Sequence, residues 1–117
     1  MKIIKLISAF LCLSVFLLAN EATVEEVKIS KRNGTYSFAV RILHEDSGWE
    51  HYVDRFEILD MDGNILATRT LWHPHANEQP FTRSLANIKI DSKIQKVYIR
   101  AHDSVDEYSA LYETLLP

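Results

Sequence analysis

Residues 71–84 read LWHPHANEQPFTRS, placing His73 and His75 on either side of Pro74, with Trp72 and Arg83 bracketing the group and Glu78 inside it. Imidazole is the commonest metal-binding side chain. The other three histidines, His44, His51 and His102, stand in HEDSGWEH (44–51) and HDSVDEYS (102–109). Glu45, Asp46, Glu50, Glu78, Asp103, Asp106 and Glu107 add oxygen ligands nearby. Imidazole with carboxylate and no thiolate suits zinc, copper(II) or nickel better than magnesium or calcium. The candidate metal ligands are therefore His44, His51, His73, His75 and His102, with zinc or copper as the implied cofactor. Trp72, Glu78, Arg83 and Asp103 are candidates for holding a small polar ligand, with the Arg83 fork as anchor for a carboxylate or other anion.

The HPH spacing decides little alone. In a strand, residues i and i+2 face one side and both rings reach one ion; in polyproline geometry they diverge. In the rival reading the histidines hydrogen-bond loop groups and hold an irregular turn. Pro74 and Pro80 then stiffen the loop, Trp49 and Trp72 cap the core, and Arg83 pairs with Glu78 or Asp103. The function of such a module would be contact with a protein partner. A third reading is pH sensing, because clustered histidines charge together near pH 6 to 7. The metal reading requires at least three imidazole nitrogens able to share one ion at about 2.0–2.1 Å each.

Catalysis has the least support. Ser47, Ser84 and Ser104 stand near histidines and acids, but no G-x-S-x-G elbow or glycine-rich phosphate cradle exists, and the three glycines are at 34, 48 and 63. A metal-assisted hydrolase would need a general base, for which Glu50 or Glu78 would serve.

The elements that must position these residues are short strands. Asn33-Gly34 is a strong hairpin signal, followed by Tyr36, Phe38, Val40 and Ile42 alternating with smaller or polar residues. Asp62-Gly63-Asn64 marks a second turn, and KVYIRAH (96–102) alternates again. The pattern predicts strands near 23–31, 35–44, 52–60, 65–72, 82–90, 95–102 and 109–116. Seven strands without a helical period indicate an all-β, immunoglobulin-like or fibronectin-III-like sandwich, with a small β-barrel as the alternative. If each strand reverses the last, the connections carrying all five histidines gather at one pole.

No repeat, linker or low-complexity tract interrupts residues 20–117, which read as one domain. Residues 1–19 read as a signal peptide. Lys2 and Lys5 precede an apolar run from Leu6 to Ala19, which is shorter than the roughly 20 residues of a membrane span. The expected address is outside the cell membrane, in the periplasm rather than the extracellular space. Cys12, the only cysteine, lies in that run behind Ala9-Phe10-Leu11, without the small residue a lipoprotein signal places directly ahead of its cysteine. Cleavage leaves no thiol for disulfides, thiolate ligation or nucleophilic chemistry. It also leaves 11 basic and 16 acidic residues, a net charge of −5, which argues against nucleic acid as a partner. The expected chain after cleavage has no basic amphipathic helix for a membrane surface either.

From Gly34 onward the chain resembles a group of small exported bacterial proteins. The matching residues are Gly48, Trp49, His51 and Tyr52, then LATRTL-HPH--EQPFTRSL between Leu66 and Leu85, then Ala101 to Ser104. The resemblance implies a sandwich domain behind a signal peptide and supplies no activity to carry over to any position. The chain departs from the group at DSVDEYSALYETLLP, where the group has a glycine-richer turn.

Overall fold

The structure is a computed structural model describing residues 21–117; the signal peptide expected over residues 1–19, with Cys12, lies outside the described residues. Eight strands follow in order: β1 (Thr23–Arg32), β2 (Thr35–Leu43), β3 (Val53–Leu59), β4 (Ile65–Thr70), β5 (Phe81–Ile88), β6 (Lys96–Asp103), β7 (Glu107–Tyr108) and β8 (Tyr112–Leu115). Among the described residues there is no helix.

The strands form two sheets, ordered β1-β2-β5 and β4-β3-β6-β7, with β8 also paired to β6. All pairings are antiparallel. The all-β expectation holds. The barrel alternative does not, because β4 and β5 end separate sheets without pairing and no ladder closes the surface. The fourth strand lies beside the third, whereas constant-type immunoglobulin domains place it in the sheet of the first, second and fifth. Asp60 makes that β3–β4 hairpin tight: its Oδ1 accepts the N–H groups of Asp62 and Asn64, each at 2.9 Å.

The period-2 pattern supplies the core. Phe38, Val40 and Ile42 of β2 are wholly buried, as are Phe56 and Ile58 of β3 and Val97, Ile99 and Ala101 of β6; Phe81 closes the cluster from β5. Each large apolar side chain buried this way contributes roughly 1.5–3 kcal/mol.

The expected seventh strand, 109–116, shortens to β8, and a two-residue strand, β7, precedes it where the sequence predicts a connection. Ser109 Oγ accepts the Ala101 N–H at 2.9 Å, where a continuing ladder would offer a backbone carbonyl. Its own N–H still donates to the Ala101 carbonyl at 2.8 Å. A side chain thus takes one ladder bond and β7 ends; the chain rejoins β6 only at Tyr112.

Candidate metal centre

His44 directly follows β2, and the chain turns back on itself within seven residues. Asp46 N–H donates to the His44 carbonyl (3.0 Å), Ser47 N–H to that of His51 (3.0 Å), and His51 N–H to that of Gly48 (3.2 Å). Gly48 has φ of +137°, a conformation that side chains rarely adopt, so the turn favours glycine. This reversal returns His51 to His44, with their Nε2 atoms 3.3 Å apart.

The β6–β7 turn delivers two carboxylates to the same point. Asp103 Oδ1 accepts the N–H of Val105 (2.8 Å) and of Asp106 (2.6 Å), an aspartate-centred turn that folds Asp106 back. Asp103 then lies 3.5 Å from His44 Nε2 through Oδ2 and 3.2 Å from His51 Nε2 through Oδ1. Asp106 Oδ2 is 3.2 Å from His51 Nε2 and is buried without a hydrogen-bond partner. Tyr52 and Ser104 lace the two loops together, each donating its backbone N–H to the other residue at 3.1 and 3.0 Å.

Asp46 orients the set from behind. Its Oδ1 accepts His44 Nδ1–H at 2.6 Å and the Val53 N–H at 3.2 Å, and its Oδ2 accepts the His75 N–H at 2.7 Å. An ionised carboxylate only accepts, so Nδ1 is the ring nitrogen that carries a proton toward Asp46, and Nε2 is the one that faces the centre. A carboxylate behind an imidazole in this way fixes ring and tautomer for metal binding. Ligand atoms of His44, His51, Asp103 and Asp106 all lie within 4.8 Å of one another.

The remaining candidates stand elsewhere. The side-chain amide of Gln79 supports His44: its Oε1 accepts the His44 N–H at 2.9 Å while its Nε2 donates to the His75 carbonyl at 3.0 Å. The His75 ring stacks on Phe81 at 4.3 Å, and exposed His73 approaches it at 5.1 Å. His102 turns outward and donates Nδ1–H to Asp54 at 2.7 Å. Two imidazoles therefore converge rather than the three the sequence argument required, and carboxylates complete the group. Arg83 is engaged by Glu78 at 2.8 Å, not by Asp103. Trp49 and Trp72 are 66% and 78% exposed, so neither caps the core. In the sequence Asp46 and Asp106 are only two of several acids near the histidines, and nothing there marks Gln79. The one available signal was that Asp46 and Asp106 sit two or three residues from His44 and Asp103 inside short turns.

Burial, helped by the Arg83 charge, holds His75 below its ordinary value of 6.5 against the opposing pull of Asp46. Below pH 6.5 the unfolded chain takes up this proton more readily than the folded one, so stability falls as pH drops through that range. His75→Phe keeps a ring against Phe81 and removes the titration. Denaturation midpoints at pH 7.5 and 5.5 are expected to differ less in the variant than in the parent; equal losses would refute the assignment.

No family model matches the chain. A protein of Halomicrobium mukohataei described as a "Putative lipoprotein" is 33% identical over 89 residues, covering 75% of this chain and 43% of the relative. The chain thus spans less than half the length of that relative. Two solved structures share the fold: a hypothetical protein from Pyrococcus horikoshii OT3 (TM-score 0.56, 13% identity) and a superoxide reductase in its oxidized state (TM-score 0.54, 14% identity). Each likeness covers 83% of this chain and 90% of the other.

Proposed function

We propose that the protein is an exported metal-binding module in which His44, His51, Asp103 and Asp106 hold one divalent transition-metal ion. The carrying observation is the set of approaches at the centre. Donors around an ion at about 2.0–2.1 Å lie about 3.3–3.4 Å apart in a tetrahedron. Four of the approaches here are 3.2–3.5 Å, with Asp103 meeting the two rings through different oxygens. The ligand atoms of the four residues all lie within 4.8 Å of one another, so the group would close in slightly around the ion. Charge supports the same reading. As ligands, two imidazoles would be neutral and two carboxylates would carry −2, which a divalent ion cancels. The donor set suits zinc, with copper(II) as its main competitor.

The signal-peptide pattern and the relative named as a lipoprotein support export, with the periplasm as the proposed compartment. The pairing of β4 with β3 favours the fibronectin-III-like form of the sandwich. The likeness to superoxide reductase is one of fold, and no activity is carried over from it. Exposed Trp49 and Trp72 favour a second reading, a protein contact at the same pole.

Zinc titration calorimetry on protein from the full chain tests the proposal, with expected binding of one ion per chain. Asp46→Asn keeps the shape behind His44 but weakens its orientation, and is expected to lower affinity roughly 10–100-fold. Absence of stoichiometric binding by the parent would overturn the proposal.

A further inference from the structure

A cleft of about 480 Å³ reaches the histidine side of the centre, lined by Glu21, Thr23, Leu43, His44, Glu45, Ser47 and His51. Its walls hold two carboxylates and two imidazoles, and neither lysine nor arginine. The wider surroundings have the same sign. Residues 44–52, 72–80 and 103–110 contain Glu45, Asp46, Glu50, Glu78, Asp103, Asp106 and Glu107, and neither lysine nor arginine. Arg41, Arg55, Arg69, Arg83 and Arg100 each stand three residues outside these segments. Four of them are held by carboxylates: Arg41 by Glu25 at 3.2 Å, Arg55 and Arg100 by Glu57 at 2.9 and 2.8 Å, and Arg83 by Glu78 at 2.8 Å. Of the two imidazoles reached through the cleft, the His51 side chain is 27% exposed and that of His44 is 2% exposed.

A cleft lined by one sign of charge concentrates ions of the opposite sign and speeds their association. We infer that this cleft is the approach path of the cation, and that the centre takes up and releases a metal ion rather than working on an anionic substrate. This rests on the metal-binding reading and names the species the site serves. Glu21 and Glu45 act at a distance, drawing in the hydrated ion; His51 meets it first, and His44, Asp103 and Asp106 complete its shell. A small anion approaching the bound ion by the same route meets the carboxylates first and is repelled.

Copper(II) alone is a suitable probe. It binds nitrogen and oxygen sites most tightly among the divalent first-row ions, and it quenches tryptophan, with Trp49 two residues from His51. Stopped-flow quenching would compare the parent with Glu21→Gln/Glu45→Gln, taking His44→Ala as the background for binding elsewhere. At about 0.01 M salt the double variant is expected to associate about tenfold more slowly, the low end of what charged clefts supply. At 1 M salt, where the screening length is about 3 Å, the two rates should coincide, with dissociation unchanged throughout. Quenching that His44→Ala leaves intact would remove the metal-binding reading itself. His44-dependent quenching at equal rates in parent and variant would overturn the approach path alone. A deficit persisting at 1 M salt would overturn it too, since the two carboxylates would then be ligands or loop supports.

Discussion

His44→Ala is expected to abolish stoichiometric zinc binding, with an affinity loss beyond the roughly 10–100-fold that an outer carboxylate behind a ligand is worth. His44 is the donor that its surroundings hold most firmly. Its side chain is 2% exposed, Asp46 fixes one ring nitrogen at 2.6 Å, and Gln79 accepts its backbone N–H at 2.9 Å. Alanine also strips the buried Asp46 of its imidazole partner, so the variant should be less stable even without metal. His51→Ala separates the two effects. Its side chain is 27% exposed and its Nε2 faces only members of the centre, so its loss should remove the ion with little change in the metal-free melting temperature. Undiminished zinc binding in a folded His51→Ala would refute the four-residue centre.

The second large effect is one of stability. Glu57 lies on the outer face of the larger sheet yet is 3% exposed. Its two oxygens accept Arg55 Nε–H at 2.9 Å and Arg100 Nε–H at 2.8 Å. Tyr108 completes the cluster: its hydroxyl accepts from Arg55 at 3.0 Å, and the Arg100 guanidinium lies 3.8 Å from its ring centre. Burial by itself would raise the Glu57 carboxyl, but the two guanidinium hydrogen bonds outweigh it and hold the group below its ordinary 4.5. Glu57→Ala leaves two cations facing each other over a buried gap, and removing one partner of a buried pair costs about 3–5 kcal/mol. Because the Arg55 and Arg100 side chains are 30% and 24% exposed, water screens part of this, and a loss near 3 kcal/mol is expected. The pH dependence has a definite sign. A carboxyl depressed in the folded state contributes fully above its unfolded value and loses that contribution as pH falls through its folded one. The parent should therefore lose stability below pH 4.5 more steeply than the variant. A urea midpoint unchanged by Glu57→Ala would show that the cluster contributes nothing.

That cluster bears on the centre through the chain. Tyr108 pairs with His102 and Glu107 with Asp103, so the clamp grips the far end of the turn carrying Asp103 and Asp106. Metal binding and the stability of this sheet edge should therefore respond together when Tyr108 is altered.

Most of the fold was legible in the residues. Alternation in β2 and β6, together with Asn33-Gly34 and Asp62-Gly63, located the strands, because a half-buried strand must alternate and a tight hairpin needs residues tolerating positive φ. The shortened last strand was not legible, because Ser109 competes for a ladder bond only once β6 lies beside it. Trp49 and Trp72 misled for a related reason: a large aromatic is usually covered, and only the finished loops show that nothing covers these two.

The sequence by itself determined the composition of this protein's chemistry: imidazole and carboxylate without thiol in residues 21–117, an acidic balance, and strands short enough to bring distant loops to one end. Which histidines share a point was decided only by the tertiary structure. His73 and His75 sit closest together in sequence, yet the His75 backbone is spent on Asp46 and Gln79, the two side chains that hold His44. His44 and His51, seven residues apart, meet because Gly48 reverses the chain. Asp103 and Asp106 join them because β6 runs beside β3. Ligand convergence is a property of loop closure and strand register, and neither is written in the spacing of residue types.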